Sequence, residues 1–358
     1  MGHGLTGTMA DDVESAEYRT GDAEPYEIVE EIHSLAAASM TVAVLGEALI
    51  DFIVGEDGAY RPHLGGSPYN VAIGLARQGI PVCYVSPLSD DSFGDRLHAS
   101  LEREGVSIGV AERSRKPTSL ALVTLDTAGQ PTYRLYREGI ADKDISFEEI
   151  EAVLPRDLKV FHTGSLAITP SQLPKIRRLF DLLRGRGVAI SLDINIRLRA
   201  SFDTDAYLTG VRSLLPLADI VKASDEDLEP MGLGESVSAS ADRAHREMES
   251  GLLVVTLGKG GARLYSGRRV IGQGGYRVDD VADTVGAGDT FHAAFLAEIC
   301  RMGAVETSPL DADPERLEDA LDFACAAAAV NVTREGCSPP TREETESYIR
   351  FSSGRGGA

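Results

Sequence analysis

The sequence predicts an α/β fold: a mostly parallel central sheet with helices on both faces, and a small second sheet beside it. Two patterns carry that expectation. From Val160 onward, short apolar runs alternate with helical segments, the arrangement that builds parallel strands joined by crossover helices. Between Ile108 and Tyr136 the apolar period drops to two, which is hairpin patterning inserted among the βα units. Ligands of a parallel sheet gather at the carboxyl ends of its strands, and the polar motifs of this chain fall at such ends.

The 358 residues suffice for one large α/β unit with a sizeable core. A net charge of −21 argues against nucleic acid or an anionic membrane surface as partner. Cys83, Cys300, Cys325 and Cys337 are scattered, with no CxxC pair, and read as reduced, mostly buried thiols of a cytoplasmic protein. The longest apolar run, Phe323 to Val330, is too short to span a bilayer, and the acidic N-terminus lacks the basic start of a secretory signal.

Residues 1–40 carry nine acidic side chains against the single base Arg19 and are expected to form a disordered acidic extension with a short helix near Ile28–Ala38. Thr41–Phe52 reads as a buried strand that breaks at Gly46-Glu47 and presents Asp51 at its end. Gly55–Leu64 is expected to supply another strand. Ser67, Pro68 and Gly79 read as the N-cap, first position and stop of a helix, which leaves Gly65-Gly66 and the inward Asn70 unexplained by capping alone. The hairpin of 108–137 turns at Asp126-Thr127-Ala128-Gly129 and, with the strand at about 54–64, predicts a small β-sheet lid.

Beyond it come a strand at Val160–His162, a helix opened by Thr169-Pro170, strands at Val188–Asp193, Ile220–Lys222 and Leu253–Leu257, and helices around Ala206–Leu215 and Leu321–Thr333. Residues 41–350 are thus read as one domain and 351–358 as a flexible tail. Thr256-Leu257-Gly258-Lys259-Gly260-Gly261 is a glycine-rich turn after a strand, but Leu253 stands where a Walker A loop needs its first glycine.

The most informative stretch is Asp283 to Leu296. A β-branched lead-in gives way to Gly286-Ala287-Gly288, then Asp289 and an apolar run at helical spacing, so a tight loop opens a helix. Amides without partners and a positive dipole end suit an anion there, and the bare glycines let a phosphate approach the backbone. Asp289 in the first turn is read as a carboxylate able to take a hydroxyl proton during phosphoryl transfer, rather than as one more helix-start charge.

Asp283–Leu296 and Gly65–Ala72 resemble the two signatures of the PfkB or ribokinase-like carbohydrate kinases, and several other segments resemble the bacterial fructokinases among them. The resemblance runs from about Thr41 to about Pro340. It implies a ribokinase-like three-layer αβα sandwich with a lid that covers the sugar and makes a homodimer contact, and an ATP-dependent sugar kinase, foremost a fructokinase. In that reading Asp289 is the base, and Gly286, Ala287 and Gly288 form the anion hole. Asp51, Gly65, Gly66, Asn70 and Arg137 bind the sugar. Asn195, Arg197, Lys222, Ser224, Thr256, Gly258, Gly261, Thr284 and Asn331 serve the nucleotide, with Asn331 near the adenine. Mg²⁺ is reached by Asp227 through water, and a potassium ion sits beside Asp283. Other readings are a 2-keto-3-deoxygluconate kinase, which Arg137 and Asp51 would suit, a ribose or nucleoside kinase, and a catalytically silent scaffold, which a lost base would signal. Leu49, where ribokinases carry Asn, counts against ribose. Ser86 and Ser89 stand where the family has glycines, Ile140 where it has Ser, and Ser224 and Asp227 where it has Asn and Glu.

Overall fold

A computed structural model describes residues 41–55, 57–125, 131–248, 250–304 and 312–355. The acidic extension 1–40 and the expected turn at 126–129 lie outside these residues. Thirteen strands are described: β1 (Thr41–Val44), β2 (Leu49–Val54), β3 (Tyr60–Gly65), β4 (Val82–Tyr84), β5 (Ser107–Ile108), β6 (Ser119–Leu125), β7 (Pro131–Tyr136), β8 (Leu158–Gly164), β9 (Ala189–Asp193), β10 (Ile220–Ser224), β11 (Leu252–Thr256), β12 (Ala262–Ser266) and β13 (Arg269–Gln273). Nine make one sheet in the order β13-β12-β11-β10-β9-β8-β1-β4-β5. From β11 to β5 every neighbour is parallel, and β12 and β13 close the far edge as an antiparallel hairpin.

Alternation along each strand sorts the core into two layers. Val42 and Val44 pack with the helices Ser67–Arg77, Ala287–Arg301 and Pro314–Asn331, whereas Ala43 faces the layer of Leu173–Gly185, Thr204–Arg212 and Val237–Glu247. The result is the expected three-layer αβα sandwich.

The other four strands form the second sheet, in the order β3-β2-β6-β7. Its boundaries differ from the sequence reading in two places. The strand expected over Thr41–Phe52 does break around Gly46-Glu47, but its two halves lie in different sheets: Gly46 adopts φ +155° where a Cβ would collide with Pro68, and the chain leaves the main sheet there. Ser107–Ile108 pairs with β4 in the main sheet, so the lid hairpin begins at Ser119 rather than near 108. Asp91 anchors that start: its carboxylate accepts from the Thr118 amide at 2.8 Å and the Thr118 hydroxyl at 2.7 Å. At the other end of the chain, the helix Arg342–Arg355 passes the expected boundary at 351, with Glu343 and Glu344 favouring its first turn.

The helix Ser67–Arg77 crosses Ala287–Arg301 closely because Gly74 meets Ala293, where a Cβ on residue 74 would stand 2.6 Å from the Ala293 Cβ. This contact sets the distance between the two helix starts. Gly74→Ala gains about 1 kcal/mol of helix propensity but overpacks the crossing, which costs about 1–3 kcal/mol. The variant is therefore expected to melt lower and to turn over more slowly, as read by thermal unfolding and steady-state rate; a raised melting temperature with unchanged turnover contradicts the packing argument.

Candidate active site

The segment that opens the helix Ala287–Arg301 is held from three sides. Asp283 accepts from the Val285 and Gly336 amides, each at 3.0 Å. Asn331 donates to the Val285 carbonyl at 2.9 Å and accepts from the Thr290 hydroxyl at 3.1 Å and the Ser338 amide at 2.8 Å. Gly286 takes φ +72°, a left-handed turn that glycine adopts without strain, and a Cβ there would collide with Cys337. No side chain caps this helix start, and of its first amides that of Ala287 reaches only the Thr284 carbonyl, at 3.3 Å.

Lys222, midway along β10, lies against the same start: its Nζ stands 3.2 Å from the position a Gly288 Cβ would take. The ammonium pairs with both oxygens of Asp193, at 3.1 and 3.2 Å, and both side chains are buried. Burial alone would strip the Lys222 proton, but the carboxylates of Asp193, Asp227 and Asp289 outweigh it and raise its pKa. An anion at Gly286–Gly288 would thus meet amide dipoles and a fixed ammonium together.

Asp289 is 9% exposed. Its two oxygens accept from a different helix: Oδ1 from the Ser67 hydroxyl and Oδ2 from the Asn70 amide, each at 2.7 Å. Two donors fix the orientation of the carboxylate while leaving a lone pair on each oxygen. Ser67, expected as the cap of its own helix, is not one: Gly66 occupies the N-cap position at φ +115°, and the Ser67 hydroxyl is turned to Asp289. Sequence patterning gave no sign of this, because a Ser-Pro helix start looks the same in either role.

Facing this carboxylate is Asp51 on β2. Burial pushes its carboxyl up to about 6, opposed by Arg197 and reinforced by the charge of Asp289, so the two acids and Arg197 share one electrostatic neighbourhood. Gly65 is bare because a Cβ would collide with the Asp51 carboxylate, and Gly66 because a Cβ would collide with the Glu47 carbonyl. Asn195, just past β9, is buried and held at φ +29°, a strained setting for a residue other than glycine. Arg197 beside it is exposed, with its amide donating to the Tyr207 hydroxyl at 3.2 Å. Thr256 ends β11, Gly258 turns at φ +53°, and Gly261, at φ +88°, packs where a Cβ would collide with the Gln273 carbonyl. Thr284 is exposed, and its carbonyl accepts from the Ala287 amide at 3.3 Å.

Several residues are used otherwise than the sequence suggested. Arg137 is no open contact for a ligand: it is buried, ion-paired to Asp142 at 2.8 Å and bonded to the Ser119 hydroxyl at 2.7 Å. Asn331 is wholly buried and its amide is spent on bracing the Asp283–Thr290 segment, so the expected adenine contact is withdrawn. Ser224 and Asp227 form a capping box, and Asp227 also accepts from the Ile196 amide at 2.7 Å, tying the ends of β9 and β10 together. Asn70, expected toward a sugar, donates to Asp289. Ser86, where the resemblance would place glycine, accepts from the Gly46 amide at 2.8 Å and so steadies the break after β1. Among the described residues no group of three or more His, Cys, Asp or Glu side chains could hold a metal alone, and no helix is long and apolar enough to cross a membrane.

The geometry is a held carboxylate beside an uncapped helix start and a buried ammonium, a set suited to phosphoryl transfer onto a hydroxyl without a Walker A loop. Fructokinase-2 of Solanum habrochaites is 31% identical over 327 residues, covering 88% of this chain and 98% of that protein. Fructokinase-1 of Oryza sativa subsp. japonica is 33% identical over 322 residues, covering 87% and 98%. The structure of a fructokinase with bound ATP from Xylella fastidiosa superposes with a TM-score of 0.80 at 30% identity, covering 87% of this chain and 99% of that one. Residues 40–344 match the profile of the pfkB family carbohydrate kinases, a span that includes β1, the lid and the Asp289 helix alike, and the chain belongs to that family.

Proposed function

We propose that this ATP-dependent sugar kinase is a fructokinase that phosphorylates a primary hydroxyl of fructose. The observation that carries the reading is the Asp289 carboxylate, oriented by Ser67 and Asn70 beside the Gly286–Gly288 amides and Lys222. The fructokinases of Solanum and Oryza, alike over most of both chains, support the choice of sugar.

In this mechanism Asp51 and the bare Gly65-Gly66 edge receive the sugar hydroxyls, two lone-pair oxygens on one carboxylate suiting a vicinal diol. Asp289 takes the proton of the attacking hydroxyl as it approaches the γ-phosphate in line, and the amides of Gly286, Ala287 and Gly288, with Lys222, hold the developing charge. Thr256, Gly258, Gly261 and Thr284, with Asn195 and Arg197, border the nucleotide. Mg²⁺, if bound, would neutralise phosphate charge, and Asp227 would be the residue to hold it, through water. Each Asp283 oxygen carries one amide bond and keeps a lone pair for a potassium ion. Closure of the second sheet excludes water, which would otherwise compete as acceptor. Tyr60 and Tyr136 are exposed on the two edge strands of this sheet, at 44% and 54%, and a homodimer through it would cover them. A cytoplasmic location belongs to the same reading. Internal pairing of Arg137 removes the contact that favoured an acidic sugar such as 2-keto-3-deoxygluconate.

Asp289→Asn keeps the shape and removes the base, so its kcat is expected to fall about 10²–10⁴-fold with little change in the KM for ATP. Near-normal turnover of the variant, or greater efficiency with ribose, ketodeoxygluconate or adenosine than with fructose in an ADP-release panel, overturns the assignment. Because Asp51 must be ionised to accept sugar hydroxyls and its pKa stands at about 6, the KM for sugar is expected to rise about tenfold from pH 7 to pH 5. Asp51→Asn removes this pH dependence and leaves a high KM at every pH.

A further inference from the structure

Behind the Gly65-Gly66 edge lies a buried charge cluster that the mechanism above does not use. Glu47 is 2% exposed, and its Oε1 faces the Ser67 amide at 3.4 Å. The helix Ser67–Arg77 needs a negative group there: Gly66 offers no side-chain cap and Pro68 has no N–H. The other oxygen of Glu47 and Oδ1 of Asp142 are buried without a hydrogen bond, while Oδ2 of Asp142 has the Arg137 ion pair as its partner. They border a cavity of about 20 Å³ that Arg137, Lys143, Gln172 and Lys175 also line. That space is too small for a sugar or a nucleotide, so it is no second substrate site.

Arg137 leaves the end of β7, bonds the Ser119 hydroxyl at the start of β6, and pairs with Asp142. It therefore clamps both feet of the lid hairpin, and its charge reaches Glu47. On the far side of Glu47, the Ser67 residue whose amide it faces is the one whose hydroxyl orients Asp289.

We infer that Glu47 is a positioning residue for the base: its carboxylate fixes the start of the helix that carries Ser67 and Asn70 and ties it to the Arg137 clamp at the lid foot. The inference rests on the reading of Asp289 as base and adds the residue that makes its geometry depend on the lid. Burial pushes the Glu47 carboxyl up to about 7, against the pull of Arg137 and the Ser165 hydroxyl and with the aid of Asp142. The remaining titratable groups near it are Lys143 and Lys175 on the cavity wall, Tyr84 from β4 and Tyr207 from the helix Thr204–Arg212. The carboxylate is thus present above neutrality and lost below it, and the helix start loses its negative group as the pH falls.

Two readouts test this. With saturating ATP and fructose, wild-type kcat is expected to fall about tenfold from pH 8 to pH 6, one unit either side of a single ionisation near 7. Glu47→Gln starts lower, by about 10-fold to 10²-fold for a displaced base, and stays flat over that range; Ser67→Ala also loses the limb, and the double variant is no slower than the slower single. Independently of turnover, hydrogen exchange at the Ser67, Tyr69 and Asn70 amides, corrected for intrinsic rate, speeds up on acidification in the wild type and not in Glu47→Gln. A limb retained in Glu47→Gln, or in Ser67→Ala should the first variant fail to fold, overturns the inference, as does pH-independent exchange in the wild type. Absence of sugar-dependent ADP release from the wild type would instead sink the proposed function, and the exchange readout would still decide the role of Glu47.

Discussion

The two hydrogen bonds that cross from Ser67 and Asn70 to the Asp289 carboxylate are the contact on which the active-site geometry depends. They join helices 222 and 219 residues apart in the chain, so they exist only if the whole sandwich is assembled. Gly74 lets the two helices approach, Asn331 and Asp283 hold the loop before Asp289, and β1 and β8 support both helices from below. A carboxylate oriented by donors of one helix and standing at the start of another keeps one geometry without waiting for a ligand. That is the preorganisation which positioning and electrostatic catalysis require.

The electrostatics follow from the same crossing. Buried in one region are Asp193, Asp227, Asp289 and the ammonium of Lys222, with Asp51 and Arg197 nearby. Buried charges are tolerated when paired, and removing one partner leaves the other uncompensated. Lys222 is the pivot, because it offsets acidic neighbours while lying against the glycine backbone that opens the Asp289 helix.

The sequence allowed the architecture to be read because periodicity reports burial, and the central strands of the main sheet bury alternate residues on two faces. The helix opening at Gly286-Ala287-Gly288 was equally readable, because small residues before Asp289 and an apolar run have a local physical meaning. Long-range pairing was not readable. Nothing near Ser67 tells that its hydroxyl will serve a residue 222 positions away, and nothing near Arg137 tells that Asp142 and Ser119 will bury it. Ser224 and Asp227 followed local capping chemistry, the outcome short-range rules favour. The split of Thr41–Phe52 into two sheets goes with the close approach of Pro68 to Gly46, which leaves no room for a Cβ and is again a contact between separate segments.

The account turns on where the sugar lies relative to the held carboxylate. A crystal structure with fructose and a non-hydrolysable ATP analogue measures it directly. The expected result is the acceptor hydroxyl within about 2.6–3.2 Å of an Asp289 oxygen, with the terminal phosphate on the Gly286–Gly288 amides and Asp51 on the sugar. Fructose bound elsewhere, or an Asp289 that leaves Ser67 and Asn70 to turn from the hydroxyl, would contradict it.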